Sequence, residues 1–179
     1  MRYIALLRGI NVGGNKKLSM ADLRELLSSL GHADVATYIQ SGNALFTSPR
    51  DDPAELEQEI ESRIARELGL SIRVLIRTRD ELAAVVDANP FQSAATSPTT
   101  LHASFLSAPL DEGRLSEIDA RQFEPDEFRV GNRVIYLFFP NGVAGSRLTY
   151  DFWERRFGVA ATTRNWNTVT KLLSMADGT

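Results

Sequence analysis

A chain of 179 residues with 43% hydrophobic residues and a mean hydropathy of −0.18 has the make-up of a globular protein, which excludes general disorder. Lys and Arg number 20 against 23 Asp and Glu, a net charge of −3, so no chain-wide attraction to nucleic acid or to an anionic membrane exists and any anion site must be local. Cysteine is absent, which removes disulfides, zinc thiolates, iron–sulfur clusters and thiol nucleophiles.

Residues 3–8 are predicted as a strand, ended by Gly9-Ile10-Asn11-Val12-Gly13-Gly14-Asn15, where glycines permit the positive φ of tight turns. The apolar run before Arg8 is too short for a signal-peptide core, and no other run reaches membrane-spanning length, so a cytoplasmic location without membrane attachment is expected. Ser19-Met20-Ala21-Asp22 resembles a capping box, and Leu23, Leu26, Leu27 and Leu30 follow at helical spacing up to Gly31. Short strands at Val35–Ile39 and Ala44–Thr47 flank a hairpin turn, Gln40-Ser41-Gly42-Asn43. Pro53 opens a helix through Leu56, Ile60, Ile64 and Leu68, closed by Gly69, and Ile72–Ile76 follows as a strand. The order is βαββαβ, the split βαβ arrangement.

A short helix near Asp80–Ala88 leads to Asn89-Pro90-Phe91-Gln92-Ser93-Ala94-Ala95-Thr96-Ser97-Pro98, where periodicity gives way to small and turn-forming residues. Beyond it the same order recurs: strand Leu101–Leu106, helix Asp111–Arg121, strand Phe128–Val130, turn Gly131-Asn132, strand Val134–Phe139, helix Thr149–Phe157 and strand Val159–Thr162, then a last helix over Asn165–Met175. The expected fold is α+β, with two tandem split βαβ (ferredoxin-like, α/β-plait) domains at 1–88 and 100–179, a linker at 89–99 and a C-terminal helix. Val134–Phe139 is apolar without alternation, the mark of a central strand covered on both faces.

Parallel first and second strands put the Gly9–Lys17 loop and the Gln40–Asn43 turn at one end of the first sheet. Arg8, Asn11, Gly13, Gly14, Lys16 and Lys17 then neighbour Gln40, Ser41 and Asn43, a set rich in donors for an anion or a nucleotide edge, unless these residues only turn and cap the backbone. Gly9 and Gly14 have Walker A spacing, but Asn15-Lys16-Lys17 replaces its Lys and Ser/Thr, and no GxGxxG follows. A third segment, Thr163-Arg164-Asn165-Trp166-Asn167-Thr168 with Lys171, opens the last helix. Its free amides, cation and indole suit a phosphate or a stacked base, the plainer reading being a cap and a core anchor. His32 and His102 fall in different domains and read as surface or strand residues, not as base or ligand, and no nucleophile–base spacing appears. Glu55, Glu57, Glu59 and Glu61 read as the solvated face of their helix, and Trp153 and Phe157 as the inward face of another.

Leu7-Arg8-Gly9-Ile10-Asn11-Val12-Gly13-Gly14, Tyr38-Ile39-Gln40-Ser41-Gly42-Asn43 and Thr163-Arg164-Asn165-Trp166-Asn167-Thr168-Val169 together resemble the bacterial domain-of-unknown-function family 1697, with a fourth similarity in Ser146-Arg147-Leu148-Thr149. The resemblance spans nearly the whole chain and implies two α/β-plait domains. It implies no reaction, cofactor or catalytic residue. The Ala-, Ser-, Thr- and Pro-rich stretch from Asn89 to Thr100 departs from the expected pattern.

The sequence therefore points first to binding of a phosphate-bearing ligand, a nucleotide or nucleic acid, through Arg8, Lys16 and Arg164 as cations and Asn11, Asn43, Asn165 and Asn167 as hydrogen-bonding groups, with no metal or cofactor. The alternatives are a metal-independent enzyme acting on a small polar substrate, for which no general base stands out, and a protein-interaction scaffold using a sheet edge.

Overall fold

A computed structural model describes residues 1–92, 97 and 99–178. Residues 93–96 and 98 of the expected linker lie outside the described residues. The fold is mixed α+β, with two four-stranded antiparallel sheets and six helices among the described residues. Two compact units are present, one of Met1–Ala83 together with the segment from Lys171 onward, the other of Ala84–Thr170.

In the first unit β1 (Arg2–Leu7), α1 (Met20–Ser29), β2 (Ala33–Tyr38), β3 (Asn43–Thr47), α2 (Pro53–Leu68) and β4 (Val74–Thr78) build a sheet of order β2-β3-β1-β4, and α3 (Arg79–Asp87) follows. The helices begin where side chains replace missing backbone partners: Ser19 Oγ accepts from the Asp22 amide, and Asp52 accepts from Ala54 and Glu55 ahead of Pro53. Leu23, Leu26 and Leu27 of α1 and Leu56, Ile60 and Ile64 of α2 pack with Tyr3, Ala5, Leu7, Phe46, Val74 and Ile76 into one core. Fully burying each leucine, isoleucine, valine or phenylalanine among them contributes roughly 1.5–3 kcal/mol. Ile4, Leu6, Leu45 and Leu75, pointing the other way, are buried too.

The second unit repeats the order with β5 (Leu101–Leu106), α4 (Glu112–Ser116), β6 (Glu127–Gly131), β7 (Val134–Phe138), α5 (Tyr150–Phe157) and β8 (Ala161–Asn165), giving the sheet β6-β7-β5-β8, before α6 (Trp166–Ala176). Val134–Leu137 of the interior strand β7 are buried on both faces, and Trp153 and Phe157 of α5 reach the core with Ile135, Leu137 and Phe139.

Two elements differ most from expectation. The helix expected over Asp111–Arg121 ends at Ser116, and a 3-10 turn occupies Ala120–Phe123. Ser116 Oγ bonds back to the Gly113 carbonyl at 2.7 Å and Asp119 takes the Arg121 amide at 3.1 Å, local bonds that compete with helix propagation. The last strand runs to Asn165 instead of stopping at Thr162, so Thr163 and Arg164 are strand residues, paired with Ser104 and Ala103.

Candidate functional site

At one end of the first sheet three segments are tied together by the backbone. The Leu7 amide donates to the Gly42 carbonyl and the Arg8 amide to the Arg73 carbonyl, both at 2.9 Å. Asn11 then locks the loop to the turn: its Nδ2 donates to the carbonyls of Gln40 (2.7 Å) and Leu18 (2.8 Å), while its Oδ1 accepts from the Leu18 amide (2.9 Å). The expected neighbourhood of the Gly9–Lys17 loop and the Gln40–Asn43 turn is thus realised through one asparagine. Asn43 is fully buried, its Nδ2 bonded to the Tyr38 carbonyl and to Ser41 Oγ, so it shapes the turn from within.

Between Asn11 and Leu18 the chain doubles back as a small hairpin. The Asn11 amide reaches the Lys16 carbonyl (3.2 Å) and the Asn15 amide the Val12 carbonyl (3.3 Å). Gly13 (φ 62°) and Gly14 (φ 79°) supply the two positive φ values of a type I′ turn. Residues 11–17 are all exposed, with Val12 at 67%. Across from them Ile39 is 48% exposed.

The backbone here is held against its preferences. Asn11 (φ 55°), Lys16 (φ 48°) and Ile39 (φ 50°) all take left-handed conformations, and for the β-branched Ile39 this is a true outlier. Gly42 (φ 89°) is required for a different reason: a Cβ there would stand 2.7 Å from Ile10 Cδ1 and 2.9 Å from Leu7 Cβ. The second unit closes the same corner otherwise. The Leu106 amide meets the Arg133 carbonyl (3.0 Å) and the Ser107 amide the Ala160 carbonyl (2.9 Å), so Arg133 occupies the place of Gly42. Residues 107–111 run directly into α4, where the first unit spends residues 8–19 before α1. The fold itself does not need the protruding hairpin.

The third segment is organised differently. Arg164 is 7% exposed, and its Nη1 donates to Thr162 Oγ1 (2.8 Å) and the Thr163 carbonyl (2.9 Å). Burial lowers its guanidinium to about 10, which leaves it charged at neutral pH. Asn165 Oδ1 caps α6 through the Thr168 amide at 2.9 Å. Trp166 is partly buried, its ring 6.3 Å from that of Tyr136, while Asn167 and Lys171 are exposed. These residues belong to elements of the second unit, apart from Lys171, which groups with the first.

The acidic face of α2, expected to be simply solvated, is partly bonded to the sheet. Glu61 accepts from the Val74 amide and Glu57 from the Ile76 amide, each at 2.8 Å, and Glu81 accepts from Thr78 at the same distance. Three successive outward amides of edge strand β4 are thereby occupied by carboxylates. Glu154 repeats the device on Ala161 of β8 at 2.9 Å. His32 is buried against Phe46, with ring centroids 4.4 Å apart and Nε2 3.9 Å from Glu59. The surface alternative expected for it fails, because the turn after α1 tucks the ring beneath β3. His102 lies on β5, and burial lowers the pKa of both rings.

Other concavities lie elsewhere, and one of about 530 Å³ in the second unit is lined by Thr149, Asp151, Phe152, Arg155 and Arg156. A groove of about 440 Å³ between α1 and α2 is lined by Asp22, Glu25, Arg63 and Glu67, an acid-rich rim unsuited to phosphate. A cleft of about 220 Å³ in the second unit is bounded by Arg147, which bonds the Gln122 carbonyl and lies 5.2 Å over the Phe123 ring.

The model of the family described as a protein of unknown function, DUF1697, matches residues 1–136. The chain belongs to this family. Both segments of the first-unit loop end fall inside the matched stretch, whereas the Arg164 segment lies beyond it. The fold is also similar to that of conserved bacterial protein SP0830 from Streptococcus pneumoniae, with a TM-score of 0.73, 24% sequence identity and 98% of each chain covered. No curated protein matches the chain. Among the described residues no helix is long and apolar enough to cross a membrane.

Proposed function

We propose that this DUF1697 protein binds a phosphate-bearing ligand at the loop end of its first unit. The observation that carries the reading is the Asn11 clamp: it fixes a strained, exposed loop bearing Lys16 and Lys17 beside the Gln40–Ser41 turn, at a corner the second unit closes without any such loop. Strain retained in an exposed loop points to a role outside folding. Arg8, at the base of the loop and half-buried, adds a third cation. Arg164 serves the reading less well, since a buried guanidinium bonded to its own strand is poorly placed for a surface ligand.

Each βαββαβ unit reads as a split βαβ plait, supported by the shared strand order 2-3-1-4 in the first sheet and its counterpart in the second. Carboxylates on three β4 amides argue against strand addition at that edge.

The test is a thermal-shift screen of nucleotides, sugar phosphates, inorganic phosphate and short nucleic acids on wild type and on Lys16→Ala/Lys17→Ala. A ligand that raises Tm of wild type and not of the double variant is expected. Flat curves for every phosphate compound would remove the reading.

A further inference from the structure

We propose that the ligand of this loop end is a nucleic-acid duplex, engaged by the Val12–Asn15 hairpin as a finger lying in a groove while Lys16 and Lys17 contact backbone phosphates. This inference rests on the phosphate-binding reading and narrows it.

The shape of the site excludes the smaller members of that ligand class. Sites for free nucleotides are concave and enclose most of the ligand. Here residues 11–17 all face outward, so the surface is convex and its complement must supply the concavity. A duplex groove does so, and the major groove of B-form DNA admits a two-stranded ribbon. The hairpin has the bridge of such a ribbon, between Val12 and Asn15, and a tip of two glycines with no side chain to obstruct approach. Single strands are instead held by aromatic platforms on which bases stack. Residues 9–18 contain no aromatic residue, and the exposed large apolar groups at this end are the aliphatic Val12 and Ile39. Aliphatic side chains exposed beside lysines suit sugar edges and base methyls between two phosphate rows. With a net charge of −3 the attraction must be local, which suits a ligand that docks by one projection and not by a broad basic face.

The charge count gives the binding a measurable signature. Two lysine–phosphate contacts predict a log K against log salt slope of about −1.8 on duplex DNA, hence roughly 12-fold weaker binding between 50 and 200 mM salt.

The experiment measures binding of the full chain to matched duplex DNA, duplex RNA, single-stranded DNA, ATP and polyglutamate across that salt range. Wild type is compared with Lys16→Ala/Lys17→Ala and with Val12→Ser. Expected are a duplex preferred over the single strand and over ATP, a salt slope flattened by the double lysine variant, and several-fold weaker binding at unchanged slope for Val12→Ser. The DNA and RNA arms identify which duplex is preferred. Because the varied side chains are exposed, an unchanged Tm verifies that each variant folds. ATP binding as tightly as the duplex overturns the finger and leaves the phosphate reading standing. No binding by any phosphate compound overturns both. Polyglutamate binding as well as the duplex assigns the hairpin to acidic protein segments and overturns the proposal, as does a Val12→Ser variant that binds like wild type.

Discussion

Single residues decide how the loop end is built. Gly42 sits where a methyl group would strike Ile10 and Leu7, at a φ of 89°. Gly42→Ala should therefore lower stability by about 1–3 kcal/mol, read as a fall in Tm. Asn11 makes three bonds that only a carboxamide can make together, two as donor and one as acceptor. Asn11→Asp keeps the acceptor but sets a carboxylate against two carbonyls, so it should loosen the loop more than Asn11→Ala, with hydrogen exchange speeding up over residues 11–18 in both. His32 titrates in the opposite sense to a paired histidine. Burial lowers its folded-state pKa below the unfolded value of about 6.5, so the unfolded chain binds more protons in the window between the two. Its contribution to stability is complete above about 6.5 and is lost as the pH falls toward the lower folded value. A Tm series from pH 7.5 to 5 should show wild type losing stability over that window and His32→Phe losing less, His102 supplying the remaining slope in the same direction.

At the scale of elements, what the sequence discloses depends on whether the deciding contact is local. Helix starts at Ser19, Asp52 and Thr149 are readable because each cap bonds an amide two or three residues on. The α4 region is unreadable because Ser116 and Asp119 offer equally local alternatives to the helix. β8 is disguised by its own composition: in Ala161-Thr162-Thr163-Arg164-Asn165 polar residues face both sides, and burial of Arg164 follows only from pairing with Ala103. The pairing of the Gly9 loop with the Gln40 turn follows from strand direction alone, so that part of the candidate site is legible. The hairpin tip and the strain at Ile39 are not, since both depend on how Asn11 reaches across. Glu57 and Glu61 look like a solvated stripe until β4 is laid beside α2. Removing them reopens an edge strand. Glu57→Ala/Glu61→Ala should lose Tm and gain concentration-dependent association by light scattering, whereas the Gln pair, which keeps both acceptors, should remain monodisperse relative to it.

Across the whole molecule the two units share strand order but not sequence continuity. The first unit includes the segment from Lys171 onward, where Leu172 is 1% exposed and Asp177 accepts from Arg79 Nε at 2.6 Å. Leu172→Ala should cost about 2–5 kcal/mol, and the lost hydrogen-exchange protection should extend into Met1–Ala83 instead of staying within α6. That return of the chain also sets a timetable. A ribosome delivers β1 to β4 long before Lys171, so the first unit leaves the exit tunnel without its final piece and must wait through the synthesis of the whole second sheet. Its completion is thereby tied to a stretch translated only after the second sheet, and a nascent chain stalled before Lys171 would present chaperones with an unfinished first unit however well its own sheet had formed.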